Sequence, residues 1–600
     1  MYGTKTALAK VTAATSSTGV AARDVVAKVV SVSLDQHKEN KLLTKYLLLI
    51  FGFIAAAMFI YRVIYALVHY MRTVTSLQNE KQRYYAREDS RISWMKRNLF
   101  YAPIIRKRHN REMQISTAVS VGTLPTRLQL LVIAGYFATN VVFCLVDIQY
   151  HSNFATAAAQ LRSRSGALSI INMVPLFLLA GRNNPLIPLL RIPFDTLNLL
   201  HRWLGRIVVL EALMHTLAFL LMVATTKGWS AAFETIISHQ HLMFGFIATI
   251  TFLVIGLLSI SPLRHALYET FKIVHVIAAA VAIMGVWYHL KLLKLPQIVY
   301  LYSVVALWAI DRLVRVLRVI YHNMGHGGTK TLVEALPGNA CRVTVTMARG
   351  WHFKPGQHAY LYFPSIGFWQ SHPFSVAWSG EIDSPDSDKL DLKQRDVLAT
   401  HKTSMSFVIR GRTGVTAKLN KKAVESTNGR YITSCLVEGP YGGLYQMHSY
   451  GTVMLFAGGV GVTQAVPHLR DLVAGYANGT VAARKVVLVW IIKSPEHLEW
   501  IRPWMTEILA MEKRREVLRI MLFISRPRSA KEVHSPSATV QMFPGRPNID
   551  TLLGIEMENQ VGTLGVTVCG PGALSDEVRR AVRQRQYQGS IEFVEEAFSW

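Results

Sequence analysis

The sequence has little cysteine and few acidic residues. Its 600 residues include four cysteines, and no two of them form a CxxC pattern, which argues against a disulfide framework or a zinc site. Acidic residues number 37 against 65 lysines and arginines, giving a formal net charge of +28. These basic residues do not form one stripe beside a nucleic-acid-binding motif, so we exclude nucleic acid as a partner. Many of them instead flank apolar stretches, as the positive-inside rule describes for membrane proteins.

Long apolar runs dominate the first half of the chain, and the mean hydropathy of the whole chain is +0.24. A membrane span needs about 20 apolar residues. After a polar tail over residues 1–44, seven stretches meet or approach this length, and the third is short because Arg164 and Arg182 bound it. The predicted spans are Tyr46–Tyr70, Leu128–Ile148, Ala167–Ala180, Trp203–Thr225, Leu242–Ile260, Phe271–Leu290 and Ile298–Ile320.

The distribution of basic residues predicts how these spans are oriented. Segment 71–126 holds eleven lysines and arginines against four acids, so we expect it on the cytosolic side. With seven spans, the N-terminus then lies outside. The last span ends in a cluster of charged residues, which places everything after it in the cytosol; the cluster is Asp311, Arg312, Arg315 and Arg318.

Four histidines repeat one spacing inside these spans. His201 and His215 lie fourteen residues apart in the fourth span, and His275 and His289 lie fourteen apart in the sixth. Fourteen helical residues make nearly a whole number of turns and rise about 21 Å, so each pair shares one helix face. The fourth and sixth spans are parallel, so His201 faces His275 near the cytosol and His215 faces His289 near the outside. Because neutral imidazole is an axial ligand of haem iron, the sequence predicts two haems.

The second half of the chain has a different pattern of apolar and polar residues. Residues 326–446 alternate apolar and polar side chains over short runs, such as Cys341–Met347 and His358–Phe363, which predicts a small antiparallel β-barrel. Residues 450–600 alternate apolar strands with helical stretches, which predicts an α/β nucleotide-binding domain. We therefore divide the chain into a tail (1–44), a first span and basic loop (45–125), a transmembrane haem domain (126–322) and these two domains.

Glycine-rich and polar motifs mark the two soluble domains. The run Leu455–Thr463 reads LFAGGVGVT and joins a strand to a helix, where glycines let backbone amides approach a pyrophosphate. A lone loop of this kind is weak evidence, but further motifs accompany it. They are His372–Ser375 (HPFS), Gly414–Thr416 (GVT), Glu438–Gly442 (EGPYG), Gly545–Pro547 (GRP) and Cys569–Pro571 (CGP).

In combination these motifs resemble the fungal ferric reductases, within the ferric reductase and NADPH oxidase superfamily. The resemblance covers about residues 128–600 and includes the run Leu199–Arg206 (LLHRWLGR) and the terminal Glu596–Trp600 (EAFSW). It implies a two-haem helical membrane domain followed by a ferredoxin-reductase-like module, with an antiparallel barrel for FAD and an α/β domain for NADPH.

The resemblance also implies roles for individual residues. The flavin is expected at His372, Pro373, Phe374 and Ser375, its pyrophosphate at Gly414 and Thr416, with Pro440, Tyr441 and Gly442 completing this set. The NADPH pyrophosphate is expected at Gly458, Gly459, Val460, Gly461 and Thr463, its adenosine end at Arg546, and its nicotinamide at Cys569 and Gly570. An aromatic side chain at the C-terminus, Phe598 or Trp600, is expected to stack on the isoalloxazine ring.

The expected function is transmembrane electron transfer from cytosolic NADPH through FAD and the haems to an external ferric chelate, siderophore or cupric ion. The alternative is an NADPH oxidase that reduces dioxygen to superoxide. The thirteen residues between His275 and His289, and the short hairpin from Leu290 to Gln297, favour the metal reductase. A transporter with a nucleotide-regulated domain accounts for the spans, but it does not account for the repeated histidine spacing.

Partners and location follow from the same interpretation. We expect the plasma membrane, with an internal membrane as the alternative, and an iron permease or oxidase system that uses the product. Basic residues in the outer loops are candidates for attracting anionic ferric chelates. They are Arg162 and Arg164 in loop 149–166, and Lys227, Lys291 and Lys294 in the other outer loops.

Overall fold

The computed structural model describes residues 19–77, 79–108, 124–325, 328–367, 370–383, 401–527, 535 and 537–596. Side chains are described from residue 38 onward within these ranges, apart from 265–266, 381–383 and 401–402. Phe598 and Trp600, the predicted aromatic partners of the flavin, lie outside the described residues.

Long helices form the first half of the chain. They are α1 (Gly19–Ser76), α2 (Arg127–Leu145), α3 (Phe154–Ala180), α4 (Phe194–Lys227), α5 (Trp229–Ser238), α6 (Gln240–Leu258), α7 (Tyr268–Leu292) and α8 (Ile298–Asn323). Short helices Ser90–Met95, Leu186–Leu190 and Ser261–Ala266 connect them. Within the described ranges, six helices are long and apolar enough to cross a membrane: Lys38–Ser76 of α1, and α2, α3, α4, α6 and α7. The prediction of a multi-pass helical membrane domain is confirmed.

Two details differ from the predicted spans. Helix α8 forms where the seventh span was expected, but the charged residues of its second half leave it outside the six candidate spans. Helix α3 begins at Phe154, thirteen residues before the expected start of the third span. Arg162 and Arg164 therefore lie inside this helix, and the prediction that they belong to an outer loop is wrong.

The helix continues through Arg164 because the guanidinium of this residue is fully paired. Its Nε donates to Asn40 Oδ1 (2.5 Å), and its Nη1 donates to the carbonyl oxygens of Phe143 and Val146 (both 3.1 Å). A fourth contact joins Nη2 to the Glu39 carboxylate at 3.2 Å. Arg164 is 3% exposed, so it holds α1 and α2 against α3 and has no surface for a chelate.

The region after the helices is an antiparallel β domain. Its strands are β1 (Lys330–Leu336), β2 (Ala340–Thr346), β3 (Gln357–Tyr362), β4 (Ser371–Ser375), β5 (Trp378–Asp383), β6 (His401–Arg410), β7 (Arg430–Thr433) and β8 (Leu436–Gly442). They pair as a five-stranded sheet, β5-β6-β2-β1-β7, and a three-stranded sheet, β4-β3-β8. Helix α9 (Gly414–Glu425) packs beside them. The predicted antiparallel domain is confirmed, as two sheets.

The last region has the predicted α/β architecture. Six parallel strands lie in the order β12-β11-β10-β9-β13-β14. They are β9 (Thr452–Gly458), β10 (Lys485–Ile492), β11 (Leu518–Ile524), β12 (Val540–Pro544), β13 (Leu564–Cys569) and β14 (Ile591–Glu595). Helices α10 (Val462–Ala477), α11 (Arg502–Ala510), α12 (Ile549–Glu558) and α13 (Gly572–Gln584) accompany them, with the short helix Arg514–Val517. Strand order reverses beside β9, the usual place for a ligand in such a sheet.

The end of α1 and the following residues 79–108 hold this α/β domain against the helices. The Glu592 carboxylate on β14 accepts hydrogen bonds from Arg72 Nη1 (3.0 Å) and the Tyr450 hydroxyl (2.7 Å). Further along, Gln82 Nε2 donates to the carbonyl oxygen of Ala482 at 2.6 Å. The pKa of Glu592 lies well below its usual range: burial alone would raise it, but hydrogen bonding to His69 and the charge of Arg72 lower it.

Candidate functional site

The four spaced histidines form two pairs between α4 and α7. The ring centres of His201 and His275 lie 6.4 Å apart, and those of His215 and His289 lie 6.1 Å apart. With a metal–nitrogen bond of about 2 Å to each ring, two imidazoles at this separation would be able to share one metal ion. The spacing of both pairs therefore fits a metal held between them.

Hydrogen bonds fix the tautomer of three of these rings. Nδ1 of His201 contacts the carbonyl oxygen of Leu176 at 3.0 Å, and Nδ1 of His215 contacts that of Arg162 at 2.8 Å. Nδ1 of His289 contacts the carbonyl oxygen of His241 at 2.7 Å. A carbonyl can only accept, so each Nδ1 carries the proton and each Nε2 keeps its lone pair. This is the arrangement that orients histidine ligands of a metal.

Two glycines make room for the outer pair. A Cβ added at Gly166 would lie 2.5 Å from Nδ1 of His215, and one added at Gly245 would lie 2.6 Å from Nδ1 of His289. Both imidazoles thus rest directly on the backbone of a neighbouring helix. Sequence reasoning did not single out these glycines, although each lies in a helix where glycine is unfavourable.

A buried polar cluster lies between the two levels of histidines, and sequence reasoning missed it. Asn172 Nδ2 donates to both oxygens of Glu211 (3.1 and 2.9 Å) and to Asn140 Oδ1 (2.7 Å). The Tyr136 hydroxyl donates to Asn172 Oδ1 at 2.7 Å. A carboxyl group inside a candidate span was the available signal, since such groups are costly there and usually functional.

The N-terminal end of α7 lies against the predicted flavin motif. Glu269 Oε1, in the first turn of α7, lies 3.7 Å from His372 Nε2, and Glu269 Oε2 accepts from Gln370 Nε2 at 2.6 Å. A Cβ added at Gly414 would also meet Glu269. Since Glu269 is six residues before His275, about 9 Å of helix separates this contact from the inner pair. The structure thus brings His372 and Gly414 together at the base of the histidine ladder.

The predicted flavin residues leave polar groups free for a ligand. His372 Nε2 is buried without a hydrogen-bond partner among the described residues, and burial lowers the pKa of this histidine. Gly414, with a φ of +58°, begins α9, and no side chain among the described residues caps this helix end. Pro373 and Phe374 lie on β4, paired with Tyr360 and Ala359 of β3. A helix start without a side-chain cap, and a His372 Nε2 that makes no hydrogen bond among the described residues, fit a dinucleotide phosphate and a flavin.

A buried carboxylate joins this domain to the helices. Glu438 on β8 is 0% exposed and accepts from Arg315 Nε (3.1 Å), Arg182 Nη1 (3.4 Å) and the Tyr441 hydroxyl (2.7 Å). Burial alone would raise the pKa of Glu438, but Arg315 and Arg182 lower it to about 2. Tyr441, predicted to bind cofactor, is thereby held at the junction.

A cavity opens where the helices and both soluble domains meet. Its wall includes the start of α4, the ends of β3 and β8, and the residues after β14. The lining includes Phe194, Asp195, Thr196, Arg202, His358, Tyr360, Tyr441, Gly442, Gly443, Tyr445, Glu595 and Glu596. Burial raises the pKa of Glu596 to about 7. The lining includes two predicted flavin residues, Tyr441 and Gly442, and Arg202, which directly follows His201 in α4. The helices, the β domain and the α/β domain therefore all contribute to this cavity.

The predicted nucleotide loop has the expected local structure. Strand β9 ends at Gly458, a single 3-10 turn spans Gly459–Gly461, and α10 begins at Val462. Thr463 Oγ1 donates to the carbonyl oxygen of Val460 at 2.9 Å. Tight contacts join this loop to the second motif, because a Cβ added at Gly461 would lie 2.2 Å from the carbonyl oxygen of Cys569. Likewise, a Cβ added at Gly570 would lie 2.9 Å from backbone atoms of Gly458.

The two remaining predicted nucleotide residues have contrasting surroundings. Burial raises the pKa of the Cys569 thiol to about 12, so the thiol is protonated at neutral pH. Arg546 is exposed just after the edge strand β12, three strands away from β9. This separation along the carboxyl edge of the sheet leaves room for an extended dinucleotide between Arg546 and Cys569.

Comparison with known families identifies three matching regions. A family described as a ferric reductase like transmembrane component matches residues 165–286. An FAD-binding domain family matches residues 326–444, and a ferric reductase NAD binding domain family matches residues 450–583.

Similar whole proteins come from yeasts. The chain is 28% identical to ferric reductase transmembrane component 3 of Saccharomyces cerevisiae, over 80% of this chain and 68% of that protein. It is 27% identical to ferric/cupric reductase transmembrane component 2 of the same yeast (80% and 68%). Ferric/cupric reductase transmembrane component 1 of Candida albicans is 24% identical (84% and 67%). Among solved structures, phthalate dioxygenase reductase has a TM-score of 0.29 at 14% identity, covering 44% of this chain and 67% of its own.

Proposed function

We propose that this chain is a member of the ferric reductase family and a transmembrane reductase that carries electrons from NADPH to ferric chelates or cupric ions. The observation that carries this proposal is the pair of histidine couples, 6.4 and 6.1 Å across, with the flavin motif seated against the inner couple through Glu269. A soluble reductase needs no such ladder, and a transporter needs no nucleotide-binding module at its base.

The cofactors would supply the redox chemistry. When bound, FAD accepts a hydride from NADPH and releases single electrons, and haem iron takes up and passes on one electron at a time. His201 with His275, and His215 with His289, would hold the two haems. His372 to Ser375 with Gly414 and Thr416 would hold FAD, and Gly458 to Thr463 with Cys569, Gly570 and Arg546 would hold NADPH.

The chain's own residues position these groups and exclude water. The carbonyl oxygens of Leu176, Arg162 and His241 keep the proton on Nδ1 of three histidines, so that each Nε2 is available to iron. Glu438 and its arginines fix the flavin domain against the helices. Glu596, whose pKa is about 7, can hold or release a proton in the cavity as the charge of the bound cofactors changes.

The direction of transfer follows from the proposed topology. Segment 71–126 is strongly basic, and part of it contacts the α/β domain, which supports a cytosolic location for both soluble domains. Helix α8 would then cross the membrane as the seventh span, with its charged second half emerging toward the flavin domain. The plasma membrane, and a permease or oxidase that takes up the reduced metal, remain predictions from the sequence.

Sealed vesicles test this function. Full-length protein, loaded with FAD and haem, is reconstituted with its soluble domains outward and a membrane-impermeant ferric chelate trapped inside. Addition of NADPH outside should reduce the trapped chelate, and His215→Ala should abolish this reduction while NADPH oxidation by a soluble dye at the flavin persists. Superoxide formed at the turnover rate without chelate reduction would show an oxidase instead, and pure protein without haem absorption bands would defeat the electron-transfer proposal.

A further inference from the structure

Two histidines lie beside each other at the outer end of the helix bundle. His239 ends the connection from α5, and His241 is in the first turn of α6; their ring centres are 5.7 Å apart. Nδ1 of His239 contacts the carbonyl oxygen of Thr235 at 3.0 Å, so this nitrogen carries the proton. His239 is exposed, and its Nε2 therefore offers a lone pair to the solvent.

His241 also contacts the outer histidine couple through its backbone. Its carbonyl oxygen accepts the Nδ1–H of His289 at 2.7 Å, while its half-buried side chain lies toward His239. An ion bound by the His241 imidazole would thus be connected to His289 through the covalent bonds of His241 and the hydrogen bond from His289 Nδ1 to the His241 carbonyl oxygen. The ion would stand at the end of the proposed electron path.

We propose that His239 and His241 form a docking site for a cupric ion, the electron acceptor at this end of the protein. The inference rests on the proposed function and specifies one of its substrates. Imidazole is a favoured ligand of Cu²⁺, which binds such nitrogen donors more tightly than the other divalent first-row metals do. A ring separation of 5.7 Å is within the range that one ion shared by two imidazoles requires.

The coordination offered here suits a substrate and not a resident metal. Within the described ranges, no group of three or more histidine, cysteine, aspartate or glutamate side chains is arranged to hold a metal. Two imidazoles leave the other positions of the ion to water, so the ion can exchange. The step is a single electron transfer: Cu²⁺ becomes Cu⁺ as the reduced outer haem becomes oxidised, with no proton moved and no covalent bond made or broken.

Binding is tested first, on oxidised, haem-loaded full-length protein in detergent. One equivalent of CuCl₂ is added and the Cu²⁺ signal is recorded by electron paramagnetic resonance. We expect hyperfine splitting from two nitrogens, lost or halved in His239→Ala and in His241→Ala. The matched control is His151→Ala, which removes an exposed histidine from the connection between α2 and α3 and should leave the signal unchanged.

Substitution of the His241 side chain should leave the hydrogen bond to His289 in place, because that bond uses the backbone carbonyl oxygen of His241. The haem absorption bands should therefore match those of the wild type, and His241→Gln, which keeps a long polar side chain, serves if the alanine variant does not accumulate. In turnover, the KM for Cu²⁺ should rise by at least about tenfold in the variants of both histidines, while kcat and KM for a ferric chelate should change by less than about twofold in His239→Ala.

The possible results separate this site from the general function. Copper binding with unchanged nitrogen splitting in both His239→Ala and His241→Ala would overturn the docking site, whatever the enzyme reduces. A two-nitrogen copper signal that depends on both histidines, in a protein that reduces neither metal, would uphold the site and refute the metalloreductase function.

Discussion

The glycine beneath the outer histidine couple gives the sharpest prediction. In Gly166→Ala, the new methyl group would lie 2.5 Å from Nδ1 and 3.0 Å from Cε1 of His215, where ordinary contact begins near 3.4 Å. The imidazole must therefore retreat by roughly 0.9 Å, which stretches its 2.8 Å bond to the Arg162 carbonyl beyond hydrogen-bonding range. Loss of such an orienting bond costs about 10–100-fold in metal affinity.

The expected result is selective loss of the outer haem. The ratio of haem to protein, measured by the pyridine haemochrome method, should fall from two toward one, and trapped chelate should no longer be reduced. Gly245→Ala should act in the same way through His289, since its added Cβ would lie 2.6 Å from Nδ1 of that ring. The matched control is Gly135→Ala in α2, where an added Cβ meets nothing within 4 Å. Full haem content and normal transmembrane reduction in Gly166→Ala would refute the assignment of His215 as a ligand.

Three further substitutions test two contacts between domains and the predicted nucleotide loop. Glu438→Gln leaves the partly buried Arg315 without its carboxylate and should lower the free energy of unfolding by about 3–5 kcal/mol. Because the pKa of Glu438 is lowered to about 2 from 4.5, its stabilising effect is complete above pH 4.5 and is lost as the pH falls toward 2, so thermal unfolding of the variant should show a smaller loss of stability over this range. Arg72→Ala removes the arginine from the Glu592 carboxylate, which keeps its contacts with His69 and Tyr450, and should speed proteolysis within residues 79–108 in open vesicles. Gly461→Ala places a methyl group 2.2 Å from a backbone oxygen and should raise the KM for NADPH by at least about tenfold in reduction of a soluble dye.

Each of these substitutions has a control in the same region. Glu425→Gln removes an exposed carboxylate and should change stability by less than about 1 kcal/mol. Arg83→Ala removes an exposed arginine just after α1, and Gly554→Ala adds a methyl group whose nearest neighbours are side-chain atoms of Arg585 at 3.2 Å or more. If a variant and its control behave alike, the buried contact assigned to that position does not contribute as argued.

Local patterns in the sequence predicted the features that depend on local geometry. Helical periodicity paired His201 with His275 and His215 with His289, since a helix face is set by spacing alone. Alternation of apolar and polar residues predicted two strands of the first soluble domain to within one residue; the predicted runs Cys341–Met347 and His358–Phe363 are Ala340–Thr346 and Gln357–Tyr362 in the structure. These features need no knowledge of distant partners.

The features that sequence reasoning missed depend on distant partners. Arg164 was read as the boundary of a span because a charged residue is costly in a membrane, but contacts with Asn40 and Glu39 satisfy it inside the bundle. Similarly, residues 79–108 look like a basic loop, and only the contacts with β13, β14 and their neighbours give them a fixed structure. Such pairs are hundreds of residues apart, so no window along the chain contains both members.

The same long-range contacts explain how the inner histidine couple is held at a fixed position relative to the flavin domain. Helix α3 supplies the carbonyl oxygen of Leu176 to His201, and six residues later Arg182 contacts Glu438 in the flavin domain. On α7, Glu269 contacts the flavin motif six residues before His275. Each inner histidine is thus tied to that domain within six residues, which on α7 is about 9 Å of helix. A shift of the flavin domain would strain both ties at once, so the distance between flavin and inner couple is set by the fold and does not depend on cofactor binding alone.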